Sequence, residues 1–180
     1  MQTFLQFHDQ AEFLRESSGS NIEKTLLKAL KVFRLFDIPH YVAGGFAVQE
    51  HGYPRFTVDV DIIVPDVRLA REKLCMNGFK ENPGSKVAVM DRETKVEVDL
   101  RPGAGQITPT HVSSEPQILA LKSLISSKLS TYIDRGIHRV QDYADVVELI
   151  QVNRLPRDYD VDAKVRELYH KLWDELHASS

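Results

Sequence analysis

Cysteine is almost absent from this sequence: Cys75 stands alone, so no intramolecular disulfide can form and the fold must be held by packing. The lone thiol reads as a helix-packing residue and fits a reducing compartment. Long apolar runs are missing too. No stretch approaches the ~20 apolar residues of a membrane span, and Met1-Gln2-Thr3-Phe4 is not a basic region followed by an apolar one. A cytoplasmic protein without a membrane partner is expected. There is no basic excess either, since 23 Lys and Arg face 26 Asp and Glu for a net charge of -3. Proteins that grip long nucleic acid by its backbone usually carry such an excess, so small or structured partners fit better. The seven histidines show no His-x-x-x-His spacing, and no paired cysteines or Ser/His/Asp nucleophile pattern is present. Gly84, Gly103 and Gly105 do not compose a Gly-x-Gly-x-x-Gly fingerprint.

What remains is an ordinary globular composition, 42% hydrophobic and 27% charged over 180 residues, enough for one compact domain with a helical appendage. Residues 4–14 carry Phe4, Leu5, Phe7, Phe13 and Leu14 and suit a short docking helix; Ser17-Ser18-Gly19-Ser20 reads as a linker. From Asn21, read as an N-cap, apolar residues recur at threes and fours to Phe36, which predicts an amphipathic helix closed by Asp37-Ile38-Pro39. His40–Ala43 is a short strand running into Gly44-Gly45, and residues 46–52 form a brief helix. Thr57–Val64 is a strand, Val67–Met76 a helix capped by Asp66 and ended by Asn77-Gly78, and 86–91 and 95–100 are two further strands. Beyond Gly105 the strands stop, and 117–130, 139–151 and 161–177 predict three helices, with Trp173 among Leu168, Leu172 and Leu176 as core. The chain divides into an N-terminal segment (1–20), an α/β core (21–105) and a C-terminal helical subdomain (106–180).

The informative segment is Thr57-Val58-Asp59-Val60-Asp61-Ile62-Ile63-Val64. Side chains alternate across a strand, so Asp59 and Asp61 share a face with Cα atoms ~6–7 Å apart. Val58, Val60, Ile62 and Val64 take the other face. Aspartate is disfavoured in strands, and two side by side repel unless a cation joins them. Mg²⁺ prefers carboxylate and phosphate oxygens, and two such ions can activate a hydroxyl and neutralise a leaving pyrophosphate. Lys95-Val96-Glu97-Val98-Asp99-Leu100 repeats the alternation, with Glu97 and Asp99 on one face. Two readings stand for these strands: converging acidic faces around metal, or half-exposed strands with solvated carboxylates. Gly44-Gly45, where a strand turns into a helix, suits a phosphate as well as an ordinary tight turn.

Taken together, Gly44-Gly45-Phe46-Ala47 followed by His51-Gly52-x-x-Arg55-x-Thr57-x-Asp59-x-Asp61 resembles the nucleotidyltransferase superfamily related to DNA polymerase beta. It most resembles the minimal bacterial branch that includes the toxin-like AbiEii-type nucleotidyltransferases. The resemblance implies an α/β nucleotidyltransferase fold with a small mixed sheet flanked by helices. It also implies an enzyme that moves a nucleoside monophosphate from an NTP, such as ATP, to an acceptor hydroxyl on RNA, protein or a small molecule. Asp59, Asp61 and Asp99 would ligate two Mg²⁺ ions (or Mn²⁺) and act in catalysis. Gly44, Gly45, Arg55 and Thr57 would meet the nucleotide, as would Lys122 or Lys128 if not simply solvated. An antitoxin partner is a further implication of this branch. In Arg139-Val140-Gln141-Asp142-Tyr143-Ala144-Asp145, Gln141 stands where the branch commonly has lysine, which bears on triphosphate binding or on the substrate. Asp142 suits either a local pair or a site role. His51 reads as a packing residue or a base contact, and Tyr41 and Tyr53 as packing or base-stacking residues. A fold member that binds without turnover is the alternative reading.

Overall fold

The computed structural model describes residues 20–104, 108–113 and 116–178. The helix expected at 4–14, most of the linker at 17–20 and the 105/106 boundary fall outside the described residues. The elements in chain order are α1 (Asn21–Leu35), β1 (Tyr41–Val42), α2 (Gly44–Glu50), β2 (Asp59–Val64), α3 (Val67–Met76), β3 (Phe79–Glu81), β4 (Ala88–Asp91) and β5 (Glu97–Pro102). Three more helices follow, α4 (Leu121–Arg135), α5 (Val140–Val152) and α6 (Arg166–His177), with short 3₁₀ turns before the last two. The chain divides into two compact units. The first runs to Phe46 and resumes over Phe56–Ile118, and the second joins Ala47–Arg55 to Leu119–Ser180.

In the first unit the five strands form one mixed sheet in the order β1-β2-β5-β4-β3. Among these five strands β2 and β5 pair parallel, while β1–β2, β3–β4 and β4–β5 pair antiparallel. One face is apolar because alternation places Val60, Ile62, Val64, Val98 and Leu100 there, all buried with Leu26, Leu30 and Phe33 of α1 and Ala70 and Leu74 of α3. Each buried Val, Leu, Ile or Phe side chain here contributes ~1.5–3 kcal/mol relative to exposure, so this face fixes the register of the strands. Helix α1 opens on a capping box in which Ser20, not Asn21, is the N-cap, its hydroxyl accepting from Glu23 N while Glu23 reaches back to Ser20 N. Asp66 caps α3 at Leu69 N as expected.

The structure differs from the sequence reading at three strand edges. Pairing of β2 starts at Asp59, so Val58 is 69% exposed rather than part of the buried face. β3 lies after the Asn77-Gly78 stop and pairs with β4. At the far edge, Gln117 O accepts from Val42 N and Ile118 bridges to Val42, so these residues extend the sheet and α4 starts only at Leu121.

In the second unit, Leu124, Ile125 and Leu129 of α4, Val146, Leu149 and Ile150 of α5, and Tyr169 and Leu172 of α6 are buried. Trp173 is half-buried; its indole Nε1 donates to Leu155 O and its ring stacks on His177. Among the described residues, no helix is long and apolar enough to cross a membrane.

Candidate functional site

The face of the sheet opposite the apolar core carries the acids. The parallel β2–β5 register sets Asp59 beside Glu97 and Asp61 beside Asp99, so all four project to the same side. Val60 and Val98, which lie between them in sequence, and Ile62, which follows Asp61, anchor the opposite face and leave the acids no other side to occupy. Convergence of the two acidic strands, left open by the sequence, is therefore a property of the sheet.

Asp61 is the most enclosed of these acids, its side chain 9% exposed, and two features hold it. Ala43 N donates to Asp61 O across the edge of β1, which brings the turn at Gly44 against the Asp61 side chain. Gly44 has φ +57°, and a Cβ there would lie 1.7 Å from Asp61 Oδ2. Only glycine meets both conditions, conformation and space. Gly45 is buried in the first turn of α2 directly behind it. The sequence motif Gly-Gly-x-Ala…Asp-x-Asp thus has a local steric basis: the first glycine makes room for the second aspartate.

Asp59 is oriented from its own strand entry. Buried Thr57 hydrogen-bonds through its hydroxyl to Asp59 Oδ1 at 3.2 Å and to Asp59 O at 3.3 Å. Glu97 is engaged elsewhere, its Oε2 accepting from the Asn82 side-chain amide. Asp99 and Asp61 share a cation that sequence reasoning passed over. Arg101 Nη2 lies 2.7 Å from Asp61 Oδ1 and 3.2 Å from Asp99 Oδ2. The signal is present in the sequence, since Glu97, Asp99 and Arg101 continue one alternation, but Arg101 lies at the end of the strand, just before Pro102-Gly103.

Among the described residues no three acidic, histidine or cysteine side chains converge into a ready metal cage. The oxygens of Asp61 and Asp99 nevertheless focus on a single cationic centre, and Asp59 stands two residues away on the same face. An all-oxygen set focused on a positive charge is the donor chemistry that Mg²⁺ or Mn²⁺ takes, so these residues fit such an ion.

Arg55, Lys122, Lys128, Gln141 and Asp142 belong to the second unit. Lys128 is buried on α4, with Nζ 2.9 Å from Asp142 Oδ1 and 2.6 Å from Asp145 Oδ2. Asp145, wholly buried, also takes Arg55 Nε at 3.0 Å and a hydrogen bond from Gln141 Nε2 at 3.0 Å. Arg139 Nε completes the cluster on Asp142 Oδ2 at 2.7 Å. Burial pushes the Asp142 carboxyl up, but the Lys128 ammonium and the Arg139 guanidinium more than offset it and hold its pKa below the ordinary value. Lys122 is half-exposed and hydrogen-bonds Asp160, which raises its pKa.

His51 Nε2 donates to Leu119 O at 2.8 Å, and its own carbonyl accepts from Asn153, which ties it into the second unit. Tyr41 and Tyr53 are half-buried. Cys75 is half-buried, and burial pushes its thiol up, which lowers its reactivity.

No family model and no curated protein matches this chain. Solved structures do. The solution structure of the antibiotic-resistance factor ANT(2'')-Ia aligns with 87% of this chain and 92% of its own, at 12% identity and a TM-score of 0.51. An antigenic nucleotidyltransferase-like protein from Paracoccidioides brasiliensis aligns over 87% of this chain and 88% of its own, at 18% identity and a TM-score of 0.52. The chain has the nucleotidyltransferase fold. Its likeness to the AbiEii-type branch rests on the sequence motif alone.

Proposed function

We propose that this protein is a metal-dependent nucleotidyltransferase that moves a nucleoside monophosphate from an NTP to an acceptor hydroxyl and releases pyrophosphate. The observation that carries the reading is the gathering of Asp59, Asp61 and Asp99 on one sheet face, with Asp61 packed against the Gly44 turn. In this reading Asp59, Asp61 and Asp99 would hold Mg²⁺, which when bound would supply charge neutralisation at the triphosphate and a lowered pKa for the acceptor hydroxyl. Asp99, the more open partner of Asp61, takes the proton of that hydroxyl at its carboxylate. Thr57 orients Asp59 through its hydroxyl, and the Gly44 turn, with buried Gly45 behind it, would let the phosphates approach backbone beside Asp61. The acceptor class is a matter for experiment; ANT(2'')-Ia is an antibiotic-resistance factor, so small-molecule antibiotics belong in the trial beside RNA and protein.

The test is incubation of the protein with each α-³²P-labelled NTP, Mg²⁺ and these three acceptor classes. Label transfer with pyrophosphate release, lost in Asp61→Asn, is the expected result. Transfer that persists in folded Asp61→Asn would remove the mechanism.

A second reading, a fold member that binds without turnover, draws on one observation: Lys128, expected at the nucleotide, is buried between Asp142 and Asp145. Mg-dependent NTP binding without transfer to any acceptor would favour it.

A further inference from the structure

Arg101 has no place in the sequence motif, yet it joins one of its acids, Asp61, to Asp99 on the neighbouring strand. Strand alternation puts it on the acidic face two residues after Asp99, and the β2–β5 register sets it opposite Ile63, one alternation beyond the Asp61–Asp99 pair. From there one nitrogen, Nη2, reaches both carboxylates. Two neighbouring carboxylates, one of them enclosed, repel unless a positive charge lies between them. A guanidinium keeps its charge at every accessible pH, so it serves that purpose whether or not a metal is present. The Arg101 side chain is 38% exposed against 9% for Asp61, so it is partly open to solvent where Asp61 is enclosed.

We infer that Arg101 is a positioning residue that acts as a built-in counter-cation of the metal-free site, and that divalent metal enters by exchange with it. This inference rests on the metal reading of Asp61 and Asp99 given above. A divalent ion needs the oxygens that Arg101 already contacts, and the two positive charges oppose each other at that range. Metal alone therefore meets a competitor. A metal–triphosphate complex does not, because a guanidinium displaced from carboxylates is well matched to phosphate oxygens through bidentate hydrogen bonds. The exchange couples metal entry to nucleotide entry and keeps free metal from loading the site by itself.

The experiment titrates MnCl₂ alone, without nucleotide, into wild type, Arg101→Gln, Arg101→Lys and Asp61→Asn, following free Mn²⁺ by electron paramagnetic resonance. Removing a competitor that occupies most of the population tightens apparent affinity by its occupancy ratio, so Arg101→Gln is expected to bind Mn²⁺ about tenfold or more tightly than wild type. Arg101→Lys, which keeps a positive charge, is expected to stay near wild type. Without metal Arg101→Gln melts below wild type, and Mn²⁺ raises its Tm by more. Equal or weaker Mn²⁺ binding by folded Arg101→Gln, with binding lost in Asp61→Asn, overturns the exchange and leaves the metal site standing. Mn²⁺ binding that Asp61→Asn leaves intact overturns the metal reading together with the exchange. Should Arg101→Gln not fold, the wild type decides by side-chain ¹⁵N resonances. Movement of the Arg101 Nε signal on adding Mg²⁺ and NTP supports exchange, and a stationary signal overturns it.

Discussion

At the scale of single residues, each part of the proposed site has a neighbour that explains its identity. Gly44 is glycine because Asp61 occupies the space a Cβ would need. Gly44→Ala is therefore expected to strain a φ that costs ~1–2 kcal/mol for L-residues, before any clash is counted. It should also displace Asp61, abolishing metal-dependent NTP binding at temperatures where circular dichroism still reports a folded chain. Thr57 is threonine because its hydroxyl aims Asp59. Thr57→Val keeps shape and β-preference but removes that bond. Losing a group that orients a metal ligand usually costs roughly 10–100-fold in metal affinity, and a Mn²⁺ titration of this variant at unchanged Tm is expected to fall in that range.

The sequence displayed these acids and glycines because motif spacing is local. It did not display Arg101 as a partner, because which cation meets Asp61 depends on a strand register set by a pairing 38 residues away in sequence.

At the scale of elements, the α4–α5 pair is joined by a buried ionic cluster, and the residues of the expected lysine-bearing motif lie inside it. Gln141 replaces lysine's charge with an amide that donates to Asp145, so it adds no positive charge to a cluster already holding Lys128, Arg55 and Arg139. Breaking a buried pair by removing one partner costs ~3–5 kcal/mol, and Lys128→Met is expected to lose stability of that order in urea unfolding. An unchanged midpoint would contradict the structural assignment of Lys128.

Two buried groups with lowered pKa, Asp142 and His40, make the fold pH-sensitive. Asp142 has its pKa lowered from 3.8 in the folded chain, so the unfolded chain binds the proton more readily. Its contribution to stability is present above that value and is lost as pH falls through the folded one. His40 sits against Phe33, its Nδ1 donating to Ile38 O, and burial lowers its pKa from 6.5. Its contribution is likewise present above 6.5 and declines as pH drops below it. Stability measured against pH is expected to fall in two stages on acidification, the first removed by His40→Asn and the second by Asp142→Asn. Helices α1 and α3 were legible because their apolar spacing and caps are written within each segment. β3 was not, since three residues with only Phe79 buried show no alternation to read.

At the scale of the whole molecule, the architecture followed from alternation in two acidic strands and helical spacing around them, and the nucleotidyltransferase fold agrees with the motif at residues 44–61. The division into two compact units was less accessible, because the second unit draws Ala47–Arg55 out of the middle of the motif. A linear reading treats neighbouring residues as one body. Here His51 instead pairs with Leu119 and Asn153, and Arg55 with Asp145.

The central claim, that Asp59 and Asp61 form a metal-dependent nucleotide site, is tested most directly by calorimetric titration of each NTP into wild type and the Asp59→Asn/Asp61→Asn variant, with and without Mg²⁺. The expected result is binding of at least one NTP by wild type only with Mg²⁺, and none by the folded double variant. Nucleotide binding that is equal in the two proteins, or indifferent to Mg²⁺, would contradict it.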